Sequence, residues 1–194
     1  MEKDRDLIWE EIRREQVVRD RWIDLRRSAY RFPDGRVFEP YYSYTRRDYA
    51  VVAARTGEGR YICVRQFRQG IRRVTVEFPA GGIEPVDALQ AGENRWEEAL
   101  AAAKRELREE TGYESDCWTR LMRVPASASI SDNYAYLFAA ENCRKTGGQK
   151  LDEMELLRAE EHTAEEIEEM IRREEFPQTD HILAWMLQKN EPAE

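Results

Sequence analysis

Cysteine is scarce in this chain, and what there is stands apart. Cys63, Cys117 and Cys143 are the only three, with no Cys-x-x-Cys among them. That spacing excludes a zinc knuckle and supports no disulfide framework. Buried free thiols and a reducing, cytoplasmic setting are expected. No apolar run reaches the length of a membrane span, and the charged start Met1-Glu2-Lys3-Asp4-Arg5-Asp6 does not read as a signal peptide. A basic excess is also missing: net charge is −8. A nucleic-acid coat or a binder of anionic membranes is therefore not expected. A phosphorylated substrate remains open, because a bound metal inverts the local field. Histidine is nearly absent; His162 and His181 show no partner pattern and read as ordinary helix or loop residues. No internal repeat or long low-complexity tract occurs. The chain has 194 residues, of which 41% are hydrophobic and 36% charged. That is enough to bury a core in one large domain, or in one domain with an appendage.

The densest chemistry lies in Arg105-Glu106-Leu107-Arg108-Glu109-Glu110-Thr111-Gly112-Tyr113. Trp96, Leu100, Ala103 and Leu107 recur at helical spacing, so that stripe should face a core. Glu106, Glu109 and Glu110 are three and four residues apart, which gathers their carboxylates on one face. These like charges repel, and the helix C-terminus disfavours anions. A hard divalent cation such as Mg²⁺ or Mn²⁺ would offset both costs. Arg105 is the nearest counter-charge, and Gly112 suits a left-handed helix end.

Preceded by Glu97, this segment resembles the second half of the Nudix box, and the chain is identified as a member of the Nudix family by it. The resemblance implies an α/β/α sandwich with a mixed sheet. It also implies hydrolysis of a pyrophosphate in a nucleoside diphosphate linked to another moiety. Two further stretches are similar to the ADP-ribose pyrophosphatase branch: a Pro33-Asp34-Gly35 hairpin ahead of the catalytic domain, and Val64-Arg65-Gln66-Phe67-Arg68. ADP-ribose or another nucleotide sugar is therefore the leading substrate, and a homodimer built through residues 1–45 is expected, with the hydrolase domain over 46–194. On the same resemblance, metal would be held by Glu106, Glu109, Glu110 and the Ala80 carbonyl. Substrate contacts fall on Arg65, Arg68, Glu77 and Ser131. Glu109, Glu110 and Glu153 are candidate catalytic carboxylates. In the acidic stretch Leu151-Asp152-Glu153-Met154-Glu155, Glu153 ranks first and Glu155 second. Arg65 and Arg68 are three apart on a strand and point to opposite faces, so one of them is expected to enter the site. Glu97 and Arg105 are expected to stabilise the helix rather than take part in chemistry.

Two departures from the family pattern stand out. Fifteen residues separate Gly81 from Glu97, ten more than the box has. Residues 85–96 thus read as an inserted loop, or a loop with an extra helical turn, and are expected to shape leaving-group choice. Ala128 occupies the place where the branch carries a proline, with Pro125 three residues earlier. A Nudix-like nucleotide-sugar sensor without turnover is the alternative in another functional class.

Elsewhere, residues 1–20 suggest an amphipathic helix, and 22–44 suggest strands. Residues 49–55 and 61–68 should pair as a hairpin, and 74–78 form the next strand. Strands are also expected over 118–124 and 134–139. Thr163-Ala164-Glu165-Glu166 reads as a capping box. A last helix over 180–189 should turn Ile182, Leu183, Trp185 and Met186 inward.

Overall fold

The computed structural model describes residues 2–20, 22–84 and 95–190. Residues 85–94, most of the expected insertion, lie outside them. The chain divides into two compact units: Met1–Arg46 with Pro125–Asn133, and Arg47–Val124 with Tyr134–Glu194.

The first unit is a three-stranded antiparallel sheet in the order β1 (Glu10–Arg19), β2 (Asp24–Arg31), β3 (Val37–Thr45). The strands expected over 22–44 are present, turning at Asp34-Gly35, where Gly35 has φ +89°. The helix expected over 1–20 is not. A short 3₁₀ helix, Glu2–Leu7, precedes β1, which pairs with β2 along its length. Register shifts between Glu11 and Arg13 and between Gln16 and Val18 put Ile12, Val17 and Val18 out of phase. The two-residue alternation of a strand is therefore hidden in the sequence. Tyr44 N–H donates to the Ile130 carbonyl at 2.9 Å, which ties the 125–133 loop to this unit.

The second unit holds eight strands: β4 (Tyr49–Thr56), β5 (Tyr61–Arg68), β6 (Arg73–Glu77), β7 (Ala80–Gly82), β8 (Tyr113–Glu114), β9 (Cys117–Pro125), β10 (Tyr134–Lys145) and β11 (Leu157–His162). The central order is β11-β5-β4-β10-β8; β6 pairs with β5, β7 with β4 and β9 with β10. Strands β4 and β10 run parallel, whereas β10–β8, β11–β5, β4–β5, β4–β7 and β5–β6 are antiparallel, so the sheet is mixed. The run Ala50-Val51-Val52-Ala53-Ala54 in β4 is wholly buried, as a strand covered on both faces requires. Ala50, Val52 and Ala54 meet α1 (Trp96–Thr111) through Ala99, Ala103 and Leu107. Val51 and Ala53 join Ile167 and Met170 of α2 (Ala164–Arg172) and Ala184 and Trp185 of α3 (Thr179–Lys189). The result is the expected α/β/α sandwich. The stripe Trp96, Leu100, Ala103 and Leu107 packs as its spacing requires, and Thr163 and Glu166 form the capping box.

Of the α3 residues expected inward, Trp185 is buried and Ile182 and Leu183 pack against the core, whereas Met186 is exposed. His181 and Gln188 are buried on this helix as well, and Gln188 donates to Glu141.

Candidate active site

Helix α1 ends at Gly112, whose φ of +76° is the left-handed cap its sequence suggests. A side chain there would strike the Gly147 carbonyl at 2.3 Å. Orphan carbonyls of that helix end are taken by the loop that follows β10. Gln149 Nε2 donates to the Glu110 carbonyl at 2.7 Å, and Lys150 N–H to the Glu109 carbonyl at 2.8 Å. These bonds anchor the segment that leads to Glu155.

The last two turns of α1 carry the carboxylates. Glu106 lies so close over Gly81 that a Cβ on that residue would come within 1.8 Å of Glu106 Oε1. Glu110 Oε2 accepts the Ala80 N–H at 3.0 Å. Ligand oxygens of Glu106, Glu110 and Glu155 all lie within 4.8 Å of one another. The acidic loop is folded as a turn, with Glu155 N–H on the Asp152 carbonyl and Asp152 N–H on Glu155 Oε2, both at 3.0 Å. That turn brings Glu155, not Glu153, to the cluster. Glu109 is outside the group and pairs with Arg105 at 3.0 Å. Arg105 also reaches Glu106 at 2.8 Å and the Gly82 carbonyl at 3.0 Å. It thus pins two carboxylates and the glycine turn together, which fits its expected supporting part.

Burial pushes the Glu106 carboxyl above its ordinary value, against the pull of Arg105. Glu110 is pushed well above, by burial first and by Glu106 second. Two buried carboxylates facing a third, with Arg105 as a neighbouring cation, are an oxygen-rich, anionic donor set. Such a set fits a hard divalent cation, whose charge would restore the ionised forms.

Arg65 and Arg68 on β5 do have different surroundings. Arg65 Nε donates to Glu160 of β11 at 2.8 Å. Arg68 Nε donates to both oxygens of Glu77 at 2.9 and 3.0 Å. Glu77 is completely buried. It also accepts from Thr75 Oγ1 at 2.5 Å and, more weakly, from Gln178 Nε2 at 3.4 Å. Burial opposes its charge, yet Arg68, helped by Thr75, holds its carboxyl below the ordinary value. Glu97 sits at the other end of α1, paired with Arg120. Ser131 lies in the first unit, its N–H on the Ser127 carbonyl at 2.9 Å. Sequence reasoning missed the bonds from Thr75 and Gln178 to Glu77. The alternation of Thr75 and Glu77 on one strand face was the available signal for the first; nothing local announced the second.

Carboxylates gathered near one helix end, a glycine turn beneath them and an arginine paired with a buried glutamate are donors suited to a cation and to anionic groups. The fold is similar to that in the crystal structure of an ADP compounds hydrolase, with a TM-score of 0.77 at 20% identity, covering 93% of this chain and 92% of that one. Among curated relatives, an ADP-ribose pyrophosphatase of Bacillus subtilis (strain 168) is 31% identical over 165 residues, 84% of this chain and 83% of the relative. A methanol dehydrogenase activator of Bacillus methanolicus is 28% identical over 175 residues, 89% of this chain and 88% of that protein. The family model for the NUDIX domain matches residues 45–186. The chain belongs to the Nudix family and is a Nudix hydrolase.

Proposed function

We propose that this enzyme hydrolyses the pyrophosphate of ADP-ribose, or of a closely related nucleoside diphosphate linked to a sugar, with Mg²⁺ or Mn²⁺ as cofactor. The observation that carries the reading is the convergence of Glu106, Glu110 and Glu155 over Gly81. These three carboxylates, with the Ala80 carbonyl and Glu109 beside them, would hold the metal. When bound, the ion supplies charge neutralisation for the diphosphate and activation of water. Arg68 presents the part of its guanidinium not engaged by Glu77 to a phosphate oxygen, prealigned by the buried pair. Glu155, on a turn rather than on the helix, is the carboxylate best placed to take a proton from the attacking water; Glu153 is the competing choice. No observation among the described residues favours a sensor without turnover.

A homodimer is part of the same reading. Trp22, Val37, Phe38 and Tyr42 are exposed on the first unit, a concentration of apolar surface that suits an interface. A cytoplasmic setting fits the free cysteines. Burial pushes the Cys63 thiol up and takes Cys143 to about 11, so neither is a nucleophile at neutral pH.

The test is phosphate release after phosphatase coupling. ADP-ribose has no terminal phosphate, whereas its hydrolysis products, AMP and ribose 5-phosphate, both do. Mg²⁺-dependent release from ADP-ribose, exceeding that from a panel of other nucleoside diphosphate derivatives, supports the reading. No release from any of them overturns it.

A further inference from the structure

The turn that joins β6 to β7 leaves the sheet at Phe78 and Pro79, so its buried backbone groups need partners from elsewhere. Each is held by a different element. Phe78 N–H donates to His181 Nδ1 of α3 at 3.0 Å. The Pro79 carbonyl accepts Val52 N–H of β4 at 3.0 Å. Ala80 N–H donates to Glu110 of α1 at 3.0 Å. One residue pair earlier, Val76 N–H donates to the Glu175 carbonyl at 2.8 Å. Val76 and Phe78 are alternate residues, so their N–H groups point off the same strand edge. The segment before α3 caps that edge with the main-chain carbonyl of Glu175, and the first turn of α3 caps the next position with a histidine nitrogen.

His181 is built for this place. It is 3% exposed, its ring parallel to Phe78 at 7° and edge-on to Phe176. As an acceptor, Nδ1 carries no proton, which fixes the neutral tautomer with the proton on Nε2. Burial pushes its pKa down, which favours the same form. Two further bonds fasten the first turn of α3: Gln178 to Glu77, and the Tyr49 hydroxyl to Asp180 at 2.8 Å.

We propose that His181 is a positioning residue for the metal site: its Nδ1 stands in for a strand carbonyl, holds the Phe78 amide, and thereby sets the Ala80 backbone against Glu106 and Glu110. This rests on the reading of that site as divalent-cation binding. The expected contrast follows from shape. His181→Asn keeps an acceptor near the Nδ1 position and loses the ring. His181→Phe keeps a ring between Phe78 and Phe176 and strands the Phe78 N–H.

Mn²⁺ binding to the full chain, titrated by electron paramagnetic resonance without substrate, separates them, alongside the melting temperature of each metal-free protein. His181→Phe should weaken Mn²⁺ binding about tenfold, as loss of a group supporting metal ligands does. His181→Asn should bind close to wild type even where its melting temperature is the lower of the two. Equal Mn²⁺ affinity in both variants, or affinities that follow melting temperature, overturns the inference. Should His181→Phe fail to fold, His181→Gln replaces it. Its acceptor lies farther along the side chain, so it must bind Mn²⁺ more weakly than His181→Asn; equality overturns the proposal. Wild-type protein that binds no Mn²⁺, or Glu110→Gln that binds it undiminished, overturns the metal reading and this inference with it.

Discussion

The two sheets of this protein handle charge in opposite ways. In the three-stranded sheet, ion pairs such as Glu10–Arg31 and Glu15–Arg27 lie across exposed strands, at 2.8 and 2.5 Å. Its aromatic rings, Trp9, Tyr30, Phe32 and Tyr41, pack edge to face beside them. In the eight-stranded sheet both faces are covered by apolar side chains, and the charges that remain inside are few and tied down. Exposed pairs are screened by water and individually weak. A buried pair has lost its water, so removing one partner strands the other. Charge in the first sheet is therefore replaceable, whereas around the second a buried carboxylate is either clamped, as Glu77 is, or held against its charge by burial, as Glu106 and Glu110 of α1 are.

That contrast breaks most severely at Gly81. Gly81→Ala should remove turnover by about a hundredfold or more, because its methyl group occupies the space of the Glu106 carboxylate. Steady-state rates at saturating Mg²⁺ measure it; near-wild-type activity would show that Glu106 is free to move aside. Glu77→Gln should cost about 3 kcal/mol of stability, since it leaves the Arg68 guanidinium without its buried counter-ion. Denaturant unfolding reads this directly, and an unchanged midpoint would show the pair to be solvated.

The pH dependence should differ between the two kinds of buried carboxylate. Glu110 has a raised folded pKa, so the folded state holds its proton more tightly than the unfolded chain. Metal-free stability should then fall as pH rises above the ordinary value of 4.5. Glu77 is depressed, so its contribution is present above 4.5 and is lost as pH falls through its lower folded value. Glu110→Gln should reduce the first slope to the part that Glu106 contributes, leave the second, and hold or slightly raise the metal-free melting temperature. Melting curves across pH, with chelator present, check the signs; a slope above 4.5 undiminished by the substitution would assign it elsewhere. The smallest effect belongs to the first sheet, where Glu15→Ala should leave thermal stability and turnover unchanged. Phe38→Asp on the same sheet should change assembly alone, giving a monomer mass by light scattering where the proposed dimer is expected of wild type.

What could be read from sequence followed from how local each feature is. The meeting of Glu106 with Glu110 on one face of α1 and the Gly112 cap are set by residues within two turns, so spacing reached them; Glu109, expected on the same face, stands apart with Arg105. The buried run of β4 announced itself by lacking polar residues. Strand β1 was hidden because its two register shifts erase the alternation that marks a strand. Glu155 reaches the carboxylate cluster through the turn at Asp152, whose geometry spacing does not encode. His181 meets Phe78 across 103 residues of chain, and neither neighbourhood carries a signal of the other.

The most direct measurement compares Glu155→Gln with Glu153→Gln in phosphatase-coupled hydrolysis of ADP-ribose at saturating Mg²⁺. Both substitutions sit on the same loop and delete the same charge, so any general effect of the loop is shared. If the Glu106, Glu110 and Glu155 cluster is the catalytic centre, Glu155→Gln should lose about a hundredfold or more in kcat and Glu153→Gln should stay near wild type. An active Glu155→Gln beside an inactive Glu153→Gln would contradict it.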